Sequence, residues 1–339
     1  MTVLVTGGAG YIGSHMVYEL RAAGEDVVVL DNLCTGFRWL IPDDVVLIEG
    51  DVGDWALVRK AIRDHGVGDV IHFAASTVVP ESMVDPLQYY RNNTANTCNL
   101  IDAAAREGVE RVIFSSTAAV YGDTDGGLVG EDAPTRPISP YGRSKLMSET
   151  VLRDAAFAQR LRFVALRYFN VAGADPLLRT GQATKGATHL IKVAVEAALR
   201  KRRKLQVYGT DYRTPDGTCV RDFIHVSDLV RAHSAALSYL RSGGESVVLN
   251  CGYGHGSSVR QVIEAVRRVS GADFQTEEVE RRPGDAASVI ADVTRIRQVL
   301  DWQPSFDDLD TVVRHALAWE RSMSNDGRFD GKSRILERA

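Results

Sequence analysis

The feature that most limits this chain is its opening. An apolar run over residues 3–6 enters the glycines of TGGAGYIG, from Thr6 to Gly13, and residues 12–23 then carry helical periodicity. A strand that turns on glycines into a helix leaves apolar surface on both sides of a sheet, so more strand–helix units must follow. Buried strands are read at 27–30, 45–49, 70–73, 111–115 and 163–168, and helices between them at 55–65, 87–107 and 141–159. The alternation predicts an α/β protein with a Rossmann-like doubly wound parallel sheet. After Asn170 the pattern loosens. Gly and Pro gather at 173–186 and 211–217, and short strands (205–208, 247–250) mix with helices (226–240, 258–270, 309–321). That predicts a smaller mixed α/β C-terminal unit, ending in a polar, frayed tail at 324–339.

Composition excludes several functions. Of 339 residues, 45% are hydrophobic and 25% charged, and the net charge is −4. This suits a soluble globular protein and argues against a nucleic-acid partner. The basic run RKRRK at 200–204 follows an apolar helical pattern at 189–199, where cations complement the helix dipole. Cys34, Cys98, Cys219 and Cys251 show no CxxC spacing, so neither a metal site nor a disulfide framework is expected. No signal-peptide pattern and no apolar run of membrane-spanning length are present, and a cytoplasmic protein is expected.

Two registers of the glycine turn suit a dinucleotide: Gly8, Gly10 and Gly13, or Gly7, Gly10 and Gly13. Either brings backbone close to a pyrophosphate at a helix N-terminus. Asp31 follows 18 residues after Gly13, with Asn32 and Leu33 uncharged beside it. An acid there accepts from a ribose 2′-hydroxyl and repels a 2′-phosphate, which predicts NAD over NADP. Asp51, in EGDV, is placed to meet the adenine. Further on, SPYGRSK puts Tyr141 and Lys145 four apart on one helix face. An ammonium and a positive nicotinamide ring would lower the phenol from its ordinary value near 10 and make it a base. Upstream, FSSTAAVYG (114–122) offers Ser116 or Thr117 as a hydroxyl for the substrate. A Tyr-x-x-x-Lys pair alone is common on amphipathic helices. The glycine turn, the acidic strand end and the SST strand end carry the reading.

These motifs resemble the extended short-chain dehydrogenase/reductase family. The blocks LDNLCTG (30–36), RYFNVAGA (167–174), YGTDYRTPDGTCVRDFIHVSDL (208–229) and RRPGD (281–285) are similar to its UDP-hexose 4-epimerase branch across nearly the whole chain. The resemblance implies an NAD-binding unit, 1–169 with about 222–250, and a UDP-sugar-binding unit, 170–221 with 251–339. It implies a homodimer pairing the 89–107 and 141–159 helices, with Leu146, Val151, Leu152 and Phe157 serving core or interface. Tyr141 would remove the C4 hydroxyl proton while hydride goes to NAD. Lys145 would hold the nicotinamide ribose, and Thr117 would supply the hydroxyl. Gly7, Gly10, Tyr11, Ile12, Gly13, Asp31, Asn32, Asp51, Val52, Phe73, Ala74, Ala75, Asn92, Ser115 and Tyr168 would complete the cofactor site. On the substrate side, Asn170, Arg221 and Arg282 would hold the diphosphate, with His189 and Leu190 near it. Gln206 and Tyr208 would meet the uracil, Asp285 the uridine ribose, and Val289 would gate the sugar's 2-substituent.

Three positions depart from the family pattern. His189 stands where asparagine is frequent, Thr77 stands where bacterial relatives carry lysine, and small Val289 stands where a tyrosine would narrow the pocket. Val289 therefore predicts room for an N-acetyl group. Pentose or uronate 4-epimerisation is a close alternative. Dehydratases and decarboxylases need an acid after Thr117, where Ala118 and Ala119 stand. A non-catalytic NAD-binding regulator would not need Tyr141 and Lys145.

Overall fold

The computed structural model describes residues 1–325 apart from 125–126, 185 and 283–284. Of the tail expected at 324–339, Ser324 and Asn325 instead end the last helix, and 326–339, like the Pro-Gly pair of RRPGD, lie outside the described residues. Seven strands form the central sheet: β1 (Thr2–Thr6), β2 (Val27–Asp31), β3 (Val46–Glu49), β4 (Val67–His72), β5 (Arg111–Thr117), β6 (Arg162–Tyr168) and β7 (Val247–Cys251). Their order is β7-β6-β5-β4-β1-β2-β3, with every neighbour parallel. The order reverses at β1, and a ligand crevice opens at such a switch point, beyond the C-terminal strand ends.

Both faces are covered, as near-continuous apolar strands require. On one face Val3, Val5, Val29, Ile71, Ile113 and Val164 pack with residues of α1 (Tyr11–Ala22) and α6 (Val226–Arg241). On the other, Leu4, Val28, Val70, Val112 and Phe163 meet α2 (Trp55–His65), α3 (Asn96–Arg106) and α4 (Pro140–Ala158). A third core joins α5 (Leu190–Ala198), α7 (Val259–Ser270) and α8 (Leu309–Asn325) to Leu205, Val207, Phe223 and Phe274. A small four-stranded sheet ties this second unit to the first. In it, Ser288–Ala291 pairs with Leu128–Val129 on one side and Val220–Arg221 on the other, the latter also pairing with Ser257–Ser258.

The single helix expected at 87–107 is not continuous. A short helix, Pro86–Tyr89, passes into a π turn, Tyr90–Ala95, before α3 begins. Side-chain bonding accounts for the wider turn: Asn93 accepts from Ser76 N (2.8 Å) and donates to Ser76 O and Ser144 Oγ. Insertions of this kind recur at functional sites, and this one packs on α4. The 200–204 run also differs from a simple dipole effect. Lys201 pairs with Glu320, Arg202 with Glu196 and Lys204 with Glu277, so three of its cations are in ion pairs.

Candidate active site

The glycine turn uses Gly7, Gly10 and Gly13. Gly7 has φ +70°, and a Cβ there would sit 2.6 Å from Ala74 N. A Cβ on Gly13 would sit 2.1 Å from Gly7 O, so only glycine lets α1 pack this close to the loop. Gly8, the alternative first position, is held by a side chain instead, since its Cβ would meet Val29. Gly10 N-caps α1 without a side-chain bond, which leaves the first-turn amides of Tyr11, Ile12 and Gly13 to an anion. The cradle therefore fits a dinucleotide pyrophosphate.

Asp31 closes β2 and is buried. Its carboxylate accepts from Ala9 N (2.9 Å) and Leu33 N (2.8 Å), and burial raises it above the ordinary range despite those bonds. It thus braces the loop on either side of the crevice. Asp51, expected to meet an adenine, is engaged by Asn32 Nδ2 (2.9 Å), Gly53 N (2.7 Å) and Asn96 Nδ2 (2.9 Å). Val52 is buried in the core. Asn92, on the π turn, donates to Ser76 Oγ, and the half-buried Ala74, Ala75 and Phe73 follow the end of β4.

The proton-carrying groups meet where β5 ends and α4 begins. Ser139 caps α4 by accepting from Gly142 N (3.1 Å), and Pro140 fills the first turn, where no amide is needed. Gly142 lets this end seat against the loop after β5, because a Cβ would approach Ala119 O to 2.5 Å. Tyr141 is thereby buried, with the Tyr89 ring edge-on to it at 6.4 Å. Thr117 Oγ1 accepts from Ala119 N (3.1 Å), and its hydroxyl lies near enough to the Tyr141 phenol to oppose the effect of burial on it. Ser116, the other expected hydroxyl, points instead to Glu149 Oε1 (2.5 Å).

The expectation that Lys145 lowers the phenol is not met by these residues alone. Burial pushes the Tyr141 phenol up, and only the Thr117 hydroxyl opposes it. Burial also pushes the Lys145 ammonium down to about 7, with Glu149 opposing. Lys145 Nζ lies 4.3 Å from the centre of the Phe114 ring, whose face is a weak partner for a cation.

Ser115 and Tyr168 sit beside this pair, on β5 and β6. His233 on α6, which sequence reasoning missed, organises them. Its Nδ1 lies 2.9 Å from Leu229 O and must donate, because a carbonyl only accepts; Nε2 is then left to accept from Ser115 Oγ at 3.1 Å. Phe73 stacks on the same imidazole. An i–4 carbonyl is the sole sequence clue to that tautomer, and it appears only once α6 is known to be a helix.

The other expected residues lie in the second unit and on the small strands that join it to the first. Asn170 begins a strand pairing with Phe223–His225, and with His189 and Leu190 it lines one cavity. His189 bonds Gln182 through Nδ1 (2.9 Å), and burial holds it below the ordinary histidine range. Arg221 and Val289 are paired neighbours on adjacent parallel strands. Arg221 lies 3.7 Å from Asp285 Oδ1, so these two expected ligands are partners of each other. The Arg282 guanidinium stacks 3.6 Å from the Tyr208 ring, and Tyr208 OH donates to Gln206 Oε1 (2.6 Å). Among the described residues, no group of three or more His, Cys, Asp or Glu could hold a metal ion.

A profile described as "NAD dependent epimerase/dehydratase family" matches residues 3–252. The chain is 57% identical over 321 residues to a UDP-glucose 4-epimerase of Azospirillum brasilense, covering 95% of this chain and 92% of that one. Among solved structures, the UDP-glucose 4-epimerase from Brucella ovis in complex with NAD is 42% identical with a TM-score of 0.91, covering 94% and 97% of the two chains. The UDP-Glc/GlcNAc 4-epimerase from Campylobacter jejuni is 49% identical with a TM-score of 0.83, covering 95% and 99%.

Proposed function

The chain belongs to the NAD-dependent epimerase/dehydratase family, and from its site we infer an isomerase that inverts C4 of UDP-hexoses. The single observation that carries the reaction is the buried Tyr141 phenol, with the Thr117 hydroxyl near it, beside a cradle fit for NAD. The reaction proceeds through a transient 4-keto sugar, with no net redox change. Bound NAD would supply a reversible hydride acceptor for C4 and a positive ring that favours the phenolate.

In this reading Tyr141 takes the C4 hydroxyl proton and later returns it. Thr117 donates to the phenolate and to the sugar hydroxyl in turn, and Lys145 holds the nicotinamide ribose. Asn170, Arg221 and Arg282 bind the diphosphate, as charge-assisted bonds favour. Arg282 then leaves the Tyr208 ring free for the uracil, and Asp285 exchanges Arg221 for the uridine ribose. The sugar would turn in the site between proton removal and return, so that Tyr141 and Thr117 serve either face of C4. Ala118 and Ala119 carry no proton after Thr117, which disfavours elimination or decarboxylation.

A second substrate class rests on Val289. Its side chain is small, half-buried and one strand from Arg221, which leaves room for an N-acetyl group at C2. The Campylobacter jejuni relative's name includes GlcNAc, in keeping with this. The quaternary reading is a homodimer. Of the α4 residues weighed for it, Leu152 is buried and Leu146 and Val151 pack on the core, whereas Phe157 is 95% exposed. Phe157, with exposed Met147, supports pairing through this helix. No helix among the described residues is long and apolar enough to cross a membrane, and a cytoplasmic setting agrees with that. Incubation of the purified protein with UDP-galactose, and in parallel with UDP-N-acetylgalactosamine, tests both substrate classes. Conversion of neither, with NAD supplied, overturns the reading.

A further inference from the structure

Beneath the site lies a buried polar network that the reaction as described does not use. Glu149, on α4 one turn after Lys145, has no exposed surface. Its two oxygens accept from Arg167 Nε (2.9 Å), Arg167 Nη2 (2.6 Å) and Ser116 Oγ (2.5 Å). Ser116 directly precedes Thr117 at the end of β5, and Arg167 is on β6. Arg167 Nη1 donates to Tyr121 OH (3.0 Å), and Tyr121 donates to Asn250 Oδ1 (2.6 Å) on β7. One carboxylate thus fastens the helix carrying Tyr141 and Lys145 to three adjacent strands, including the one carrying Thr117.

We propose that Glu149 is a positioning residue: it holds the β5 end against α4, so that Thr117 meets Tyr141, and it is the counter-charge of the Lys145 ammonium. The proposal rests on the epimerase reading of Tyr141, Thr117 and Lys145. Burying a guanidinium and a carboxylate without water is costly unless their bonds are complete, and a hydrophobic pair of similar volume is often no less stable. A network this complete, placed one turn from a buried ammonium, therefore points to a use beyond stability. The titratable groups on elements around Lys145 are His72 on β4, Tyr89 with its partner Glu81, Tyr121 after β5, Arg167 and Tyr168 on β6, and Tyr141 on its own helix. Glu149 is the one group whose charge opposes the effect of burial on Lys145.

The test uses full-length protein with Glu149→Gln, Glu149→Asp and the double variant Glu149→Gln/Arg167→Gln, which leaves no lone buried guanidinium. Two readouts are taken against pH: epimerisation of UDP-galactose, and the Lys145 resonance in lysine-labelled protein, assigned with Lys145→Met and needing no turnover. In Glu149→Gln we expect kcat to fall about 10-fold or more, as small misplacements near a reacting group do, with KM within about 2-fold. We also expect the Lys145 midpoint to fall by about one unit, an amount that an opposite charge nearby commonly supplies, and the alkaline limb to move to lower pH with it. Glu149→Asp, which keeps the charge, restores the midpoint. The double variant removes both members of the pair, so its midpoint should lie between those of Glu149→Gln and the wild type, while its kcat stays low because the tie between α4 and the β5 end is gone. A wild-type midpoint and limb in Glu149→Gln, or a wild-type kcat in the double variant, overturns the proposal whatever the melting temperatures. An inactive wild-type protein overturns the epimerase reading instead, and the resonance still reports on Glu149.

Discussion

The Thr117 hydroxyl faces the Tyr141 phenol across the junction of β5 and α4, and it alone opposes the burial that raises the phenol. Thr117 Oγ1 accepts from Ala119 N and keeps its own proton, which it can give to Tyr141 once the phenol is ionised. A donor to the oxygen favours the phenolate. Thr117→Val keeps the shape and removes that donor, so the phenol titrates higher. Activity needs the phenolate, so the acid limb of the kcat profile should move to higher pH. Unchanged limbs would show that Thr117 does not tune the base.

Tyr141→Phe removes the proton carrier and keeps the ring. Turnover of UDP-galactose should fall about 10²–10⁴-fold, the usual contribution of general acid–base catalysis. NAD content measured after denaturation should stay at the wild-type level. Loss of the cofactor in this variant would mean that Tyr141 acts in binding instead.

Gly13→Ala tests the cradle. Its new methyl would press on Gly7 O, backbone that cannot yield without moving the loop. The variant should purify with little or no NAD, and added NAD should protect it weakly against heat. Normal NAD content would contradict the close helix–loop packing.

Val289→Tyr narrows the mouth beside Arg221. Conversion of UDP-N-acetylgalactosamine should fall about 10-fold or more relative to UDP-galactose, as pocket clashes discriminate. Equal losses on both substrates would remove the gate from Val289.

Buried histidines give the fold an acid limit. His72 is held between Thr6 and Thr97 and pushed down to about 3; His15 and His233 are pushed down to about 4. In the unfolded chain they titrate near about 6.5. The unfolded state therefore binds more protons below that value. Stability is full above about pH 6.5 and declines as pH falls toward 4, by about 1.4 kcal/mol per pH unit for each such group. Urea unfolding from pH 7.5 to 5 should show this slope, reduced when His72 is replaced by Gln.

Much of the fold was legible because it rests on local rules. Apolar runs bounded by turns locate all seven strands of the central sheet, with small differences at their ends, and the glycine turn is tied to its strand and helix. The π turn at 90–95 was not legible, because its cause is a set of bonds from Asn93 to Ser76 and Ser144, remote in sequence. The two glycine registers separated only when Ala74 was seen to crowd Gly7. Tyr141 and Lys145 were found by their spacing, but the direction of their titration depends on burial, which spacing does not report. Glu149 was one helical turn past Lys145 in plain view. Its partners Ser116, Arg167 and Tyr121 come from the ends of separate strands, and only the sheet order brings them to it.

The central claim is that one hydride leaves C4 and returns to the same carbon within the protein. UDP-galactose carrying deuterium at C4 tests it, with no NAD added and the UDP-glucose product examined by mass spectrometry and NMR. The account predicts product with the deuterium still on C4, at an amount far above the NAD carried by the protein. Deuterium lost to water, or turnover that stops once the carried NAD has been used, would contradict it.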